Sequence, residues 1–331
     1  MKTLVIDVAA DYGGALTILN QYYNEFTNDC ENEYVVCVSV VDNLKSTDNI
    51  TIVKLPWVKK SWFHRLWFDY VYSHKLIKEY DIDNIFSLQN IIIPNTKLPQ
   101  TVYLHQSLPF SEYKFKFSEN KKFWIYQNVI GKLIYKSAKK ASCVIVQTQW
   151  MKDALLKIDG IDESAVQVIP PQNNIFVEKY FDEVKFENNF FYPASNYAYK
   201  NHRTILKAVL NLKKQGIDNF KIIFTLTQDN LPEDCKELYS QVKENVELVG
   251  TIFHDEVMDY YNKTVLVFPS YIETFGLPLL EARETKSPII ASDMPFSREI
   301  LKGYNKANFF DAFSDSQLTA HLKKFILRKG E

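Results

Sequence analysis

The feature that most constrains the fold is a regular alternation of short apolar runs with longer helical patterns along all 331 residues. The short runs are rich in Val, Ile and Phe and are apolar throughout, rather than at every second position. Runs of this kind are typical of parallel strands that are covered on both faces. The order therefore predicts an α/β protein in which helices connect the strands of parallel sheets.

The alternation runs through the chain twice. In the first series the predicted strands are Leu4–Val8, Tyr34–Val41, Ile50–Leu55, Asn84–Ser87, Thr101–Leu104, Cys143–Gln147 and Val166–Ile169. The predicted helices of that series lie near 14–28, 63–79, 123–141 and 148–158. In the second series the predicted strands are Phe190–Tyr192, Lys221–Thr225, Val246–Val249, Val265–Phe268, Ile289–Ala291 and Asn308–Phe310. The helices predicted there lie near 201–215, 233–244, 255–262, 277–285 and 315–328.

A segment rich in proline and amides separates the two series. It spans 169–174 and reads Ile-Pro-Pro-Gln-Asn-Asn, which can continue neither a helix nor a central strand. The length also suits two domains. We therefore predict two Rossmann-like open-sheet domains, residues 1–175 and 176–331, with the last helix free to pack back on the first. Ligands of such sheets bind beyond the carboxyl ends of the strands, so we expect a site in the cleft between the domains.

Charge and cysteine usage exclude several classes of protein. A formal net charge of −1 gives no reason to expect a nucleic-acid partner. None of the four cysteines belongs to a Cys-x-x-Cys pair, and Cys37 and Cys143 lie inside apolar runs, which suits a reducing cytoplasm. Asp7 ends the first apolar run too early for a signal peptide. No run approaches the roughly 20 apolar residues that span a bilayer, so any membrane contact is expected to be peripheral.

The most informative stretch follows the predicted strand Val265–Phe268. It spans 273–281 and reads Glu-Thr-Phe-Gly-Leu-Pro-Leu-Leu-Glu, a loop leading into a helix. Pro278 suits the first turn of a helix, where a missing N–H leaves nothing unpaired. Gly276 lets the backbone approach a ligand without a Cβ in the way. This combination predicts a helix start that faces a ligand.

The chemistry of that helix start suits a nucleotide. Free amides at the positive end of a helix dipole favour a diphosphate. The amides concerned are those of Thr274, Gly276 and Leu277. Glu281 can accept two ribose hydroxyls, as acidic residues do in other nucleotide folds, and Glu273 lies in the loop expected to face a sugar. The structural alternative is an ordinary helix start whose glutamate only complements the dipole.

This stretch resembles the Glu-x7-Glu signature of retaining glycosyltransferases of family 4 and their GT-B relatives. The sequence that follows, Ser-Pro-Ile-Ile-Ala-Ser-Asp at 287–293, is also similar to the family's. Glu299 stands where family members have an acidic residue. Other similar segments occur in family order over nearly the whole chain. They are Gly13-Gly14, Val102-Tyr-Leu-His105, Gln147-Thr-Gln-Trp-Met-Lys152, Val168-Ile-Pro-Pro171 and Tyr199-Lys200-Asn-His202. The resemblance implies a GT-B fold, in which the first domain binds the acceptor and the second the nucleotide-sugar donor.

The resemblance also implies residue roles. Lys200 neutralises the donor diphosphate together with the amides of Gly276 and Leu277. Glu281 holds the ribose, while Glu273 bonds to the donor sugar. The remaining members of the implied site are His105 beside the reacting sugar, Gly13 and Gly14 in a loop that closes on phosphate and acceptor, and Thr274 and Phe275 in the donor loop.

One position departs from the family pattern. Many members carry Gly-Arg a few residues before the lysine, and the arginine is a second phosphate cation. Here those positions are Ala194 and Ser195. Arg203, one turn beyond Lys200, can replace it, or Lys200 acts nearly alone.

A helix start and a lysine can stabilise a departing diphosphate without a metal, so we expect no metal and no cofactor beyond the nucleotide sugar. Metal-dependent glycosyltransferases use an Asp-x-Asp pair. The pair here, Asp81 and Asp83, precedes a predicted strand and lies at the wrong end for a ligand site. The family retains anomeric configuration, which implies front-face displacement through an oxocarbenium-like transition state.

The expected function is a hexosyltransferase-like step in assembly of a capsule, lipopolysaccharide or exopolysaccharide, with a saccharide or lipid-linked acceptor. A sugar-nucleotide epimerase of the same architecture is an alternative. So is a degenerate partner subunit that binds nucleotide without turnover. A dehydrogenase is disfavoured because the first loop lacks Gly-x-Gly-x-x-Gly.

Two stretches of the first half mix aromatic and cationic residues. They span 55–72 and 113–126 and include three tryptophans before Phe68. This composition suits the headgroup region of an anionic bilayer and predicts contact with the inner face of the plasma membrane. The alternative is an amphipathic helix that packs its aromatic residues inward.

Overall fold

The structure is a computed structural model, and the chain divides into two compact units, Met1–Asn173 and Asn174–Glu331. The residues that it describes are 1–10, 13–40, 44–172 and 175–328. Parts of three predicted segments lie outside these ranges. They are Asp11 and Tyr12 of the first loop, Val41 at the end of the predicted strand Tyr34–Val41, and Asn173 and Asn174 of the proline-rich segment.

Seven parallel strands form the sheet of the first unit. They are β1 (Lys2–Asp7), β2 (Glu33–Val38), β3 (Ile50–Lys54), β4 (Asn84–Ser87), β5 (Gln100–Tyr103), β6 (Cys143–Val146) and β7 (Val166–Val168). Their order across the sheet is β3-β2-β1-β4-β5-β6-β7. The helices are α1 (Gly13–Thr27), α2 (Trp62–Trp67), α3 (Ser73–Glu79), α4 (Lys121–Ile125), α5 (Gly131–Lys140) and α6 (Gln149–Leu156).

Two long helices of this unit contain a π-helical turn. Phe68–Tyr72 joins α2 to α3, so that residues 62–79 form one helix, which we call the aromatic helix. Tyr126–Ile130 joins α4 to α5, so that residues 121–140 form the lysine helix. A π turn adds one residue to the ring closed by each hydrogen bond, and it shifts which side chains face the sheet.

Six parallel strands form the sheet of the second unit. They are β8 (Asn189–Tyr192), β9 (Lys221–Phe224), β10 (Val246–Leu248), β11 (Val265–Phe268), β12 (Ile289–Ser292) and β13 (Ala307–Phe310). Their order is β10-β9-β8-β11-β12-β13. The helices are α7 (His202–Lys214), α8 (Glu233–Val242), α9 (His254–Tyr261), α10 (Leu277–Glu284), α11 (Pro295–Ile300) and α12 (Asp315–Leu327).

Both faces of each sheet are covered, which explains why the strands are continuously apolar. In β1, Val5 packs with Ile18 of α1 on one face, while Leu4 and Ile6 pack with Phe68 on the other. All four aliphatic side chains are buried. Complete burial of such a side chain stabilises the fold by about 1.5–3 kcal/mol, so alternating polar residues would weaken one layer.

The last helix packs within its own unit. Asn211 of α7 donates to Asp315 of α12 at 2.7 Å, and Lys323 of α12 donates to Gln215 just after α7 at 2.9 Å. These contacts fix α12 on the same side of the second sheet as α7.

Every predicted strand is confirmed, and so is the α/β class with two parallel sheets. One helix was missed. α11 has six residues, fewer than two turns, and is too short to show a helical period.

Candidate active site

The loops that carry most of the predicted site residues leave the second sheet where its strand order reverses. β8 pairs with β9 on one side and with β11 on the other. At such a switch point the two following loops diverge and leave a crevice beyond the carboxyl ends of the strands. The loop after β8 carries Lys200, and the loop after β11 carries Glu273.

Lys200 and Glu273 form an ion pair. Lys200 Nζ lies 2.5 Å from Glu273 Oε1, and the two side chains are only 17% and 13% exposed. The Tyr192 phenol donates to the Lys200 carbonyl at 2.8 Å, which fixes the backbone at the lysine. Removing one partner of a largely buried pair leaves an uncompensated charge. The pair therefore places a cation and an anion together at this edge of the sheet before any ligand binds.

Asn201 ties three loops together at this edge. Its φ of +60° is in the left-handed region, where asparagine is tolerated better than most residues. Its side-chain amide donates to the carbonyl of Pro269 at 3.2 Å and to that of Ala312 at 2.7 Å. The loop that carries Lys200 is thereby fixed to the loops after β11 and β13. Sequence reasoning missed this residue, since its partners lie 68 and 111 positions away.

Gly276 begins α10 in a conformation that other residues rarely adopt. Its φ is +95°, and an added Cβ would lie 3.3 Å from Leu279 Cδ1. The first N–H groups of a helix have no partner within the helix. Pro278, in the first turn of α10, has no N–H group and so adds no unpaired donor. Ahead of the helix, Phe275 is buried and Thr274 is half-buried. This helix end can hold an anion.

Glu281 is held in place by two residues of α9. The Tyr261 phenol donates to Glu281 Oε2 at 2.9 Å, and His254 Nε2 lies 3.2 Å from Oε1. Tyr261 is fully buried, whereas His254 is largely exposed. The hydrogen bond to Glu281 raises the pKa of His254 above its ordinary value. A carboxylate has about four acceptor positions, so two remain for a ligand's hydroxyls.

Tyr261 and His254 were not predicted as site residues. They are seven residues apart, which places them on one face of a helix. In the described part of the chain, no hydrogen bond or ion pair joins Glu281 to Lys200 or Glu273. The structure thus presents two separate polar clusters on the loop and helix that follow β11.

Arg203 is engaged elsewhere. Its guanidinium donates to the Asp234 carbonyl at 2.7 Å and lies 3.7 Å from the Asp234 carboxylate. Asp234 belongs to α8, which packs beside α7. The arginine therefore braces two helices, and its side chain is about half exposed.

A cavity of about 320 Å³ lies beside Ala194 and Ser195. The other lining residues are Pro193, Thr225, Thr251, Ile252 and Val257. The first four lie at or near the carboxyl ends of β8, β9 and β10, and Val257 lies in α9. The absence of a long side chain at 194 and 195 leaves this space open.

His105 follows β5 in the first unit. Its backbone N–H donates to Asn90 Oδ1 at 2.7 Å, and the N–H of Gln106 donates to the same atom at 2.9 Å. Its ring centroid lies 4.6 Å from that of Tyr103. Burial lowers the pKa of His105 to about 4, which keeps the imidazole neutral near pH 7. Asn90, another left-handed asparagine that the sequence analysis missed, fixes this loop.

Gly13 and Gly14 are the first two residues of α1. A Cβ added to Gly14 would meet no atom within 4 Å, so the helix start is open there. Asp7 is the last residue of β1, ahead of α1 in the chain, and it is fully buried. Its Oδ1 accepts the Ala10 N–H at 3.2 Å. Burial raises the pKa of Asp7 to about 7.

The Asp-x-Asp pair lies at the amino-terminal edge of the first sheet. Asp83 precedes β4, and its carboxylate accepts the backbone N–H of Lys2 at 2.7 Å. Within the described ranges, no group of three or more His, Cys, Asp or Glu side chains is arranged to hold a metal ion. No helix in those ranges is both long and apolar enough to cross a membrane.

Two family models match the chain. Residues 13–171 match the model described as Glycosyltransferase Family 4, and residues 178–331 match that described as Glycosyl transferases group 1. The two matches leave out only the first twelve residues and a short segment between the units.

A sequence relative is the O-antigen chain mannosyltransferase RfbU of Salmonella typhimurium strain LT2, which is 25% identical over 205 residues. The match covers 61% of this chain and 54% of RfbU, so it spans about half of that protein's length.

Solved structures resemble the whole chain. Sucrose-phosphate synthase from Thermosynechococcus elongatus has a TM-score of 0.75 at 16% identity, with 99% of this chain and 90% of that chain covered. Anabaena Alr3699/HepE, solved in complex with UDP-glucose, has a TM-score of 0.69 at 14% identity, with 100% and 91% covered. The fold is therefore of the GT-B type, as the sequence predicted.

Proposed function

Because the chain belongs to the glycosyltransferases of family 4 and group 1, we propose that it transfers a sugar from a nucleoside-diphosphate sugar to a saccharide or lipid-linked acceptor. The observation that carries the proposal is the Lys200–Glu273 ion pair at the switch point of the second sheet. The mannosyltransferase RfbU acts on O-antigen chains, and HepE was solved with UDP-glucose. RfbU supports a surface-polysaccharide product, and HepE supports a nucleotide-sugar donor.

Donor binding proceeds by exchange of the ion pair. The diphosphate replaces Glu273 as the partner of Lys200 and takes the N–H groups at the start of α10. Glu273, released from the lysine, becomes an acceptor for a hydroxyl of the transferred sugar. The charge of Glu273 keeps Lys200 in place before the donor arrives, so little reorganisation is needed on binding.

Glu281 recognises the ribose. Tyr261 and His254 orient its carboxylate from one side. Two hydroxyls of the ribose then bond to the remaining acceptor positions of the two oxygens. The cavity beside Ala194 and Ser195 is the place for the base, since small side chains leave it open.

Transfer breaks the bond between the anomeric carbon and the β-phosphate oxygen, and the electron pair leaves with the nucleoside diphosphate. The acceptor oxygen bonds to the anomeric carbon on the same face, and its proton passes to the leaving phosphate. Lys200 and the α10 N–H groups stabilise the charge that develops on the phosphate. This step retains anomeric configuration and needs no metal. His105, Gly13 and Gly14 of the first unit are proposed to bind the acceptor.

The test is turnover of a panel of nucleotide sugars, measured as release of nucleoside diphosphate with and without a saccharide acceptor. We expect one donor to raise the unfolding temperature and to be hydrolysed slowly without acceptor. Proton NMR of the product should show the anomeric configuration of the donor, and a chelator should leave the rate unchanged. Conversion of the donor to another sugar nucleotide in the absence of acceptor would favour the epimerase. Binding of a donor with no product in any condition would favour a degenerate partner subunit.

A further inference from the structure

The aromatic helix and the lysine helix cover the same face of the first sheet. Ile6 packs against Phe68 beneath the aromatic helix, and Val102 packs with Ile134 beneath the lysine helix. The strand register aligns Ile6 with Ser87, and Ser87 with Val102. Aligned residues of parallel strands point to the same face. The outer sides of both helices therefore face away from the sheet in the same direction.

The outer side of the aromatic helix is apolar. Six large side chains at positions i, i+4 and i+8 form two adjacent rows along it. They are Trp62, Phe63, Leu66, Trp67, Tyr70 and Val71, and their exposed fractions run from 42% to 75%. Among the aromatic residues near this helix, Phe68 is buried and Trp57 is packed against the core. Tyr72 packs against the same core. Inward packing, the alternative from the sequence, therefore accounts for these three residues and leaves the side chains of the two rows at least 42% exposed.

The outer side of the lysine helix is apolar in the centre and basic around it. Ile125, Val129 and Leu133 form one exposed row, again at i, i+4 and i+8. Residues 121–140 contain six lysines and no acidic residue. All six lysines are exposed, at positions 121, 122, 132, 136, 139 and 140. Its inner side packs through Phe123 and Ile134.

We propose that these two outer sides form one docking surface for an anionic lipid bilayer. Contiguous exposed rows of large apolar side chains mark interaction sites rather than ordinary surface. Tryptophan, tyrosine and lysine together match the chemistry of the headgroup region. Lysines close to anionic lipid each contribute about 1 kcal/mol, roughly a fivefold factor in partitioning. The chain has a net charge of −1, so the attraction comes from this face and not from the whole molecule.

A nucleic acid fits this surface less well. Its phosphates would pair with the lysines. The nine exposed apolar side chains of the two helices would stay in contact with water. An anionic bilayer uses both groups at once, with the lysines at the phosphates and the apolar rows at the acyl boundary.

The direct experiment is flotation of the full chain with vesicles, without nucleotide, so that the result does not depend on the proposed sugar transfer. We expect binding to phosphatidylcholine vesicles that contain one third phosphatidylglycerol, and little binding to phosphatidylcholine alone. Binding should weaken at high salt. Tryptophan emission should shift to the blue, and brominated lipids should quench it. Absence of binding to the anionic vesicles at low salt would overturn the proposal, and so would binding to duplex DNA but not to vesicles.

Variants locate the surface. Replacing Lys132→Glu and Lys136→Glu together should lower partitioning by more than about 20-fold. The matched control is Lys243→Glu with Lys302→Glu, two exposed lysines of the second unit, which changes the net charge equally. The control should stay within about twofold of the unchanged protein. Equal losses in both pairs would show that net charge alone drives binding and would overturn the proposal. Circular dichroism of both pairs checks that the fold is kept.

Discussion

The two units use their surfaces in opposite ways. In the second unit the candidate site residues bond to one another, as Lys200 does to Glu273 and Tyr261 to Glu281. In the first unit the buried Asp7 ends β1, His105 follows β5, and two helices expose apolar rows. The two units are therefore suited to different kinds of ligand. Preorganised polar clusters suit a small charged donor, whereas extended apolar and basic faces suit a large partner.

The largest effect is expected from a variant of the candidate donor site in the second unit. Lys200→Ala should lower kcat/KM on the order of 1,000-fold, since it removes a cation from the leaving phosphate and leaves Glu273 uncompensated. Steady-state turnover with the identified donor measures it.

Arg203→Ala is the matched control, because this guanidinium is bound to Asp234. We expect a loss under about fivefold. A loss as large as that of Lys200→Ala would mean that Arg203, and not Lys200 alone, supplies the phosphate cation.

A second prediction concerns the brace that orders the donor loops. Asn201→Ala should destabilise the second unit by about 2–4 kcal/mol, because alanine resists a positive φ and two hydrogen bonds are lost. Asn201→Gly accepts the φ and should recover about 1 kcal/mol of that loss. Far-UV circular dichroism during thermal unfolding measures the difference.

The chain provides an internal control for this comparison. All five tryptophans, at 57, 62, 67, 124 and 150, lie in the first unit. Tryptophan fluorescence should therefore report an unchanged first unit in both Asn201 variants. A parallel loss in the fluorescence transition would show that the two units unfold together.

A third prediction sharpens the role of α9. Tyr261→Phe should raise the donor KM about tenfold to 100-fold with a smaller change in kcat, because one hydrogen bond to a carboxylate is worth about 1.5–3 kcal/mol. The neighbouring Tyr260 stacks on Phe191 and makes no hydrogen bond to Glu281 in the described chain, so Tyr260→Phe is the control. Should kcat fall and KM stay constant in Tyr261→Phe, the tyrosine would be acting on catalysis and not on ribose binding.

The last prediction concerns the first unit and changes its stability with pH, not the turnover of the donor. Burial raises the pKa of Asp7 from 3.8 to about 7, so the folded state binds more protons than the unfolded state between these values. Its stabilisation is present below about pH 4 and is lost as the pH rises through 7. Asp7→Asn does not titrate. Relative to this variant, the unchanged protein should lose on the order of 4 kcal/mol of stability between about pH 4 and pH 8. Urea unfolding followed by tryptophan fluorescence tests this, and parallel pH profiles would contradict it.

Most of the fold could be predicted from the sequence, because strands buried on both faces leave continuous apolar runs. Asn84–Ser87 and Val265–Phe268 have the predicted bounds. The π turns and the short α11 could not be predicted, since neither leaves a period in the sequence. The sequence shows that the aromatic helix is rich in aromatic residues. It does not show which of them are exposed, because that depends on which side of the helix packs on the sheet.

The candidate site was predicted as a set of residues and not as a set of contacts. Motif resemblance named Lys200, Glu273 and Glu281, yet the direct contact of Lys200 with Glu273 joins positions 73 apart. Asn201 and Tyr261 were missed for the same reason, because they act through loops and helices that only folding brings together. The roles of His105, Gly13 and Gly14 stay predictions.

The claim on which the account depends is that charges at one edge of the second sheet hold a nucleotide sugar. Calorimetric titration with a panel of nucleotide sugars tests it most directly, using the unchanged chain, Lys200→Met and Glu281→Gln. The account predicts that one donor binds the unchanged chain and that each variant weakens its binding at least about tenfold. Equal donor affinity in all three proteins would contradict it.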